Sequence, residues 1–257
     1  MMDANKQTPK HPWDESIRTI LFALLLAVCF RSVAFEPFHI PSGSMKSTLL
    51  VGDYLFVSKY TYGYSRYSFP FGLPIFHGRV MELRHPQRGD VVVFRPPGLP
   101  NTDFIKRIMG LPGDKLQMKD GILYINDKPL ARKQVDDFTD AEDMANIHPV
   151  EQFVETLPEG KTHMVLREPS HALVQEGIDP NNTPVYTVPP DHYFMMGDNR
   201  DNSGDSRFPS PVGYVPEENI VGRAELIFFS TDGTAQLDNP VSWFRAMRFN
   251  RFFDLIH

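Results

Sequence analysis

Residues 103–125 read DFIKRIMGLPGDKLQMKDGILYI, and two patterns within them decide the fold class. Leu116 to Met118, the dipeptide Asp120-Gly121 and Ile122 to Ile125 predict a β-hairpin, because Asp-Gly suits a two-residue turn between strands. Asp103 to Met109 alternates with the same period. Phe104, Lys106 and Ile108 therefore share one face of a strand, and Ile105, Arg107 and Met109 share the other. A cation must lie on an apolar face, and at this level either Lys106 or Arg107 is the buried one.

Further short β-rich runs flank this stretch: Tyr54 to Val57, Val91 to Phe94, His192 to Met196 and Ala224 to Phe229, each bounded by Gly, Pro or Asp. With 23 prolines and 17 glycines in 257 residues, the chain predicts many turns and short strands. The expected fold is mainly β. Tyr60 to Phe76 is rich in aromatics, glycine and proline and reads either as a ribbon packed on the body or as lipid-interface residues. Ala131 to Pro184 is polar and reads as irregular, the bulk of an inserted smaller subdomain over residues 115–187. Residues 241–257 mix Arg245, Arg248 and Arg251 with aromatics that do not collect on one helical face, which favours a packed terminal segment.

The net charge of -6 and a pI near 5.8 argue against nucleic-acid binding, which needs a basic face. The lone Cys29 excludes an intramolecular disulfide. Thr19 to Phe30 is an uncharged, almost wholly apolar run, too short to span a bilayer alone. Extended to Ile17 and Phe35 it gives about 28 Å of helix against a hydrocarbon core of about 30 Å. Arg18 and Arg31 then fall near its ends, where they can snorkel. Lys6, Lys10 and Arg18 favour a cytoplasmic N-terminus. Ser32-Val33-Ala34 also makes a small-x-small cleavage site, so membrane anchor and cleaved secretory signal both remain open, beside a buried core helix.

No H-E-x-x-H motif or Cys/His cluster is present, and no metal is expected. The loop Gly197 to Arg207 resembles a calcium loop only in outline: its twelfth position, counted from Asn199, is Ser210 and not the bidentate Glu. Serine chemistry remains. Ser44 lies in the tight turn Pro41-Ser42-Gly43-Ser44-Met45, and its hydroxyl needs a base to become a nucleophile. A lysine serves once burial lowers its pKa. Lys106 meets that condition if the face it shares with Phe104 and Ile108 is the buried one, and is otherwise a solvated strand-edge lysine. Lys46 is nearer in sequence, but Ser47 and Thr48 give it a wet setting.

Three blocks in order resemble bacterial type I signal peptidase, the leader peptidase family of Ser-Lys serine proteases: Phe38 to Met45 (FHIPSGSM), Asp103 to Asp114 (DFIKRIMGLPGD) and Tyr193 to Arg207 (YFMMGDNRDNSGDSR). Arg88 to Phe94 and Val221 to Ala224 fall in matching order between and after them. The resemblance implies a β-fold catalytic core over residues 36–114 and 188–257 with an inserted smaller β subdomain over 115–187, an N-terminal tail over 1–16 and one transmembrane anchor over 17–35. It implies Ser44 as nucleophile, Lys106 as general base, and Ser42 with the Ser44 N–H as oxyanion hole. Ser203 would orient the lysine, and Asp205 with Arg207 would form a structural ion pair. Phe38, Ile40, Met45, Leu49, Phe104 and Ile105 would line pockets for small residues.

The implied activity is cleavage of signal peptides from exported preproteins after small residues (A-x-A), through an acyl-enzyme and without a cofactor. The implied setting is the bacterial inner membrane, single-pass, with the catalytic domain on the periplasmic face. Membrane lipid and the export machinery are the partners beside the preprotein. The family's habit favours anchor over cleaved signal. Ser47 departs from the pattern, standing where many members have Pro, and there is one candidate N-terminal span where many have two. Two other classes share features: a soluble Ser-Lys self-cleaving repressor, which would need a DNA-binding head where residues 1–35 supply an apolar segment instead, and a non-enzymatic tethered β-domain, which a serine-acylating inhibitor would not label.

Overall fold

The β-rich runs form strands, and the computed structural model describes residues 16–24, 35–69, 78–139, 148–174, 177–236 and 239–257. Seven strands make one antiparallel sheet, in the spatial order β1 (Phe35–His39), β2 (Asp53–Ser58), β16 (Ile220–Ser230), β5 (Val91–Phe94), β6 (Phe104–Gly110), β14 (His192–Met196) and β15 (Val215–Pro216). β5 and β6 are central and buried on both faces, Phe104 alone being half-buried. A run such as VVVF has no polar face to give to water, so both its sides must be covered. Val91, Val93 and Ile105 pack with Ile40, Met45, Leu49 and Leu55. Val92, Phe94 and Ile108 pack with Tyr62, Tyr193 and Ile220. Each such side chain contributes about 1.5–3 kcal/mol on burial.

Between β6 and β14 the chain builds two smaller sheets. β7 (Lys115–Lys119), β8 (Ile122–Ile125), β9 (Lys128–Pro129) and β13 (Tyr186–Thr187) form the first, in the order β13-β7-β8-β9. The expected hairpin is there: Asp120 and Gly121 have φ of 47° and 72°, both positive as the tight turn demands. Leu116, Met118, Leu123 and Ile125 share a core with Met109, Phe194 and Met196 of the main sheet. The second sheet is β10 (Ala131–Gln134), β11 (Glu151–Thr156) and β12 (Thr162–Arg167). The expectation that 131–184 is irregular is thus corrected. Its strands bury Glu155, His163 and Arg167, and buried polar and charged side chains leave no apolar alternation to read.

A two-stranded ribbon, β3 (Tyr64–Ser65) with β4 (Arg79–Val80), lies in the aromatic stretch. Tyr62 and Tyr67 there are buried and Tyr60 is exposed; residues 70–77 lie outside the described ones. Residues 16–24 are helical, with Ile17, Ile20, Leu21, Phe22 and Leu24 exposed. The remainder of the expected anchor, 25–34, including Cys29 and the alternative cleavage site 32–34, also lies outside the described residues. Among the described residues no helix is long and apolar enough to cross a membrane. After the helix Pro240–Ala246, the terminal segment is sewn to β16: Phe253 N donates to Ile227 O at 2.7 Å and Ile256 N to Glu225 O at 2.9 Å. Its backbone is packed, yet Phe244, Phe249 and Phe253 are exposed.

Candidate active site

The loop between β1 and β2 is closed at its base by Ile40 N donating to Asp53 O (2.8 Å) and Gly52 N to Ile40 O (2.9 Å). Within it, Gly43–Met45 forms a single 3-10 turn, and Met45 and Leu49 anchor that turn in the core. Ser44 is thereby held against β6, where Lys106 Nζ donates to Ser44 Oγ at 2.7 Å and to Ile105 O at 2.9 Å. Ser42 is exposed, with its Oγ 3.4 Å from Ser44 Oγ. A cleft of about 460 Å³ opens above these groups, walled by Phe38, Ile40, Val93, Phe104 and Ile105. Met45 and Leu49, also expected on its walls, are fully buried in the core below.

The turn is held from its far side by the loop after β14. Asn199 N donates to Ser44 O at 3.1 Å and Asn199 Nδ2 to Gly43 O at 3.0 Å. Thr48 Oγ1 donates to Asp198 Oδ2 at 2.6 Å. A Cβ at Gly197 would collide with Ser44 O and Ser203 Oγ, so the two segments approach this closely only with glycine there. Asn199 and Asp198 received no role from the sequence, although both fall in the quoted block Tyr193 to Arg207. What the sequence does not show is the spatial approach of that block to the serine turn.

Both cations of β6 are buried, at 4% exposure for Lys106 and 1% for Arg107. Arg107 has a carboxylate: its Nε and Nη2 donate to Asp198 at 2.9 and 2.7 Å. Burial by itself would raise the Asp198 carboxyl, but Arg107 and Thr48 hold it below the usual carboxylate range. Lys106 has no carboxylate within ion-pair distance among the described residues. Desolvation therefore pulls its pKa down to about 8, aided by Arg207 and opposed by the more distant charges of Asp205 and Asp198.

Asp205 and Arg207 form a bidentate pair at 2.8 Å for each bond. Despite burial, this pair and Gly197 N–H keep the Asp205 carboxyl low. Ser203 Oγ is close enough to Asp205 to support its acidity, yet it makes no well-formed hydrogen bond among the described residues. Of the loop's other carboxylates, Asp201 pairs with Arg167 at 2.9 Å. His163 lies between Glu155 and Asp198, 3.4 and 3.7 Å away. Burial and Arg107 bring its pKa down to about 4. Away from the cleft, Glu82, His85 and Glu217 each bring one potential ligand atom within 4.8 Å of the others at the surface.

Residues 13–229 match the family described as "Signal peptidase, peptidase S26". The chain belongs to this family. The peptidase is 40% identical over 262 residues to signal peptidase I of Rickettsia akari (strain Hartford), covering 98% of this chain and 94% of that one. It is 41% identical over 260 residues to signal peptidase I of Rickettsia massiliae (strain Mtu5), covering 96% and 93%. A solved signal peptidase I from Enterococcus faecalis V583 is 27% identical, covers 55% of this chain and 97% of its own, and has a TM-score of 0.31. The peptidase is therefore a serine hydrolase that acts on the signal peptides of preproteins.

Proposed function

We propose that the peptidase cleaves signal peptides with a Ser44–Lys106 dyad. The observation that carries this reading is the 2.7 Å contact between Ser44 Oγ and a buried amine whose pKa is about 8. An exposed lysine at pH 7 is neutral in about 0.03% of molecules, whereas an amine near 8 is neutral in about 10%, a gain of roughly 300-fold in usable base. Neutral Lys106 takes the Ser44 proton as Oγ attacks the scissile carbonyl carbon. The oxyanion accepts from Ser42 Oγ and Ser44 N–H. The resulting ammonium gives its proton to the departing amine of the mature chain, leaving an acyl-enzyme. Lys106 then deprotonates water, which releases the signal peptide as a carboxylate. Ser203, with no well-formed bond among the described residues, is the hydroxyl available to orient the amine, and Asp205–Arg207 supports the loop behind it. None of these steps needs a cofactor.

Phe38, Ile40, Phe104 and Ile105 crowd the cleft from its walls, and Met45 and Leu49 in the core below hold the serine turn that forms part of it. Small side chains at the first and third positions before the cut fit that outline, which is the A-x-A preference. Residues 17–35 serve as a single membrane anchor, with the N-terminus in the cytoplasm and the catalytic domain on the periplasmic face of the inner membrane. There the enzyme meets lipid and preproteins delivered by the export machinery. Incubation of the purified full chain with a preprotein, reading the new N-terminus by mass spectrometry, tests the reading. A cut directly after a small residue supports it, and a cut elsewhere, or continued cutting by Ser44→Ala, overturns it.

A further inference from the structure

The β11–β12 hairpin of the smaller sheet reaches the serine turn from two directions. Gln152 on β11 sits opposite Leu166 on β12, and its own carbonyl is held by Val135 N at 3.0 Å. From that fixed backbone Gln152 Nε2 donates to Ser47 Oγ at 2.6 Å, three residues beyond Ser44. The paired residue Leu166 takes the other route: its N donates to Asp198 O at 2.9 Å and its O accepts from Arg200 N at 3.1 Å. Between those two bonds lies Asn199, which holds Gly43 O and Ser44 O. One cross-strand pair thus braces both flanks of the turn that carries the nucleophile.

We infer that Gln152 is a positioning residue for Ser44, acting through Ser47, and that the β11–β12 hairpin is part of the catalytic apparatus. This rests on Ser44 being the nucleophile. A misplacement on the order of 1 Å at a reacting group can cost about 100-fold in rate. The bond acts at a distance of three residues and Asn199 still holds the turn, so a smaller loss is expected. A purely structural hydrogen bond would show itself in melting temperature and leave turnover alone. A positioning bond appears in kcat with KM unchanged.

The test is a double-mutant cycle on the full chain in detergent, with Gln152→Met and Ser47→Ala singly and together, cleaving a synthetic signal peptide that carries Ala at the first and third positions before the cut. Gln152→Met keeps side-chain volume while removing the amide, and circular dichroism confirms that each variant is folded. Gln152→Leu replaces it if it is not. Each single variant is expected to lower kcat about 3- to 10-fold at constant KM, and the pair to be no slower than the worse single, because both remove one bond. Wild-type kcat in the singles, a loss confined to KM, or a double loss equal to the product of the singles would overturn the inference. Ser44→Ala measured alongside separates the two levels. If it is inactive and the cycle is multiplicative, only the role of Gln152 falls; if it still turns over, the nucleophile assignment falls first.

Discussion

The two sides of β6 bury neighbouring cations in opposite ways. On one side Arg107 is locked to Asp198 by two bonds of 2.9 and 2.7 Å, within a layer of paired charges that includes Arg200–Glu155 and Arg167–Asp201. On the other side Lys106 donates to the Ser44 hydroxyl and the Ile105 carbonyl and lies 5.5 Å from the centre of the Phe104 ring, with no carboxylate in ion-pair distance among the described residues. A buried cation with a carboxylate keeps its charge, and one without it tends to lose a proton. The paired side supports structure and the unpaired side supplies a base, and the two differ by one residue of strand alternation.

The comparison breaks most visibly at the dyad itself. Ser44→Ala and Lys106→Arg are each expected to lower cleavage by at least about 1,000-fold in a preprotein assay while circular dichroism stays native. The first removes the nucleophile, and the second installs a cation that stays charged at any usable pH. Lys46→Ala should retain most activity, and an exchange of phenotypes between Lys46 and Lys106 would mean that the base is misassigned.

On the paired side, Asp198→Asn takes from the buried Arg107 the carboxylate that accepts two of its bonds. Such a break costs about 3–5 kcal/mol, to be read from denaturant unfolding, and an unchanged midpoint would show that the pair is not needed. On the unpaired side the sign reverses. The folded state lowers the Lys106 pKa from 10.5 to about 8, so the unfolded chain holds more protons between those values and wild-type stability rises with pH across that window. Below about pH 8 the full cost of burying the ammonium is present. Lys106→Met, though inactive, is therefore expected to unfold at higher denaturant than wild type at pH 6, by up to about 3 kcal/mol. The advantage should vanish by about pH 10.5, and a Met variant less stable than wild type at pH 6 would contradict the desolvation account.

Much of this contrast was legible in the sequence. The period of residues 103–109 put Lys106 and Arg107 on opposite faces, and the Asp120-Gly121 turn fixed the register of the hairpin. The expectation that only one of the two cations is buried failed because β6 is central and covered on both sides, a fact of sheet order that one strand cannot reveal. The family resemblance implies a β insert, but the residues of β11 and β12 do not read as strands by themselves, for a related reason. Their buried Glu155 and Arg167 are accommodated by partners distant in sequence, Arg200 and Asp201. The family resemblance implies Met45 and Leu49 on the cleft wall, but here both are buried in the core, because a turn that must be anchored directs its apolar residues inward. The nomination of Ser44 and Lys106 out of all serines and lysines came from the family resemblance, since alternation alone left Lys46 open.

The most direct test of the unpaired lysine is the pH dependence of kcat/KM for the wild-type enzyme with a peptide substrate that has no titrating group between pH 6 and 11. This ratio reports ionisations of the free enzyme. With Lys106 as a base whose pKa is about 8, the ratio should rise tenfold per pH unit below that value and level off above it. An acidic limb at or above about pH 10, where an exposed lysine titrates, or a rate independent of pH from 6 to 10, would contradict the claim that apolar burial without a carboxylate makes Lys106 the base.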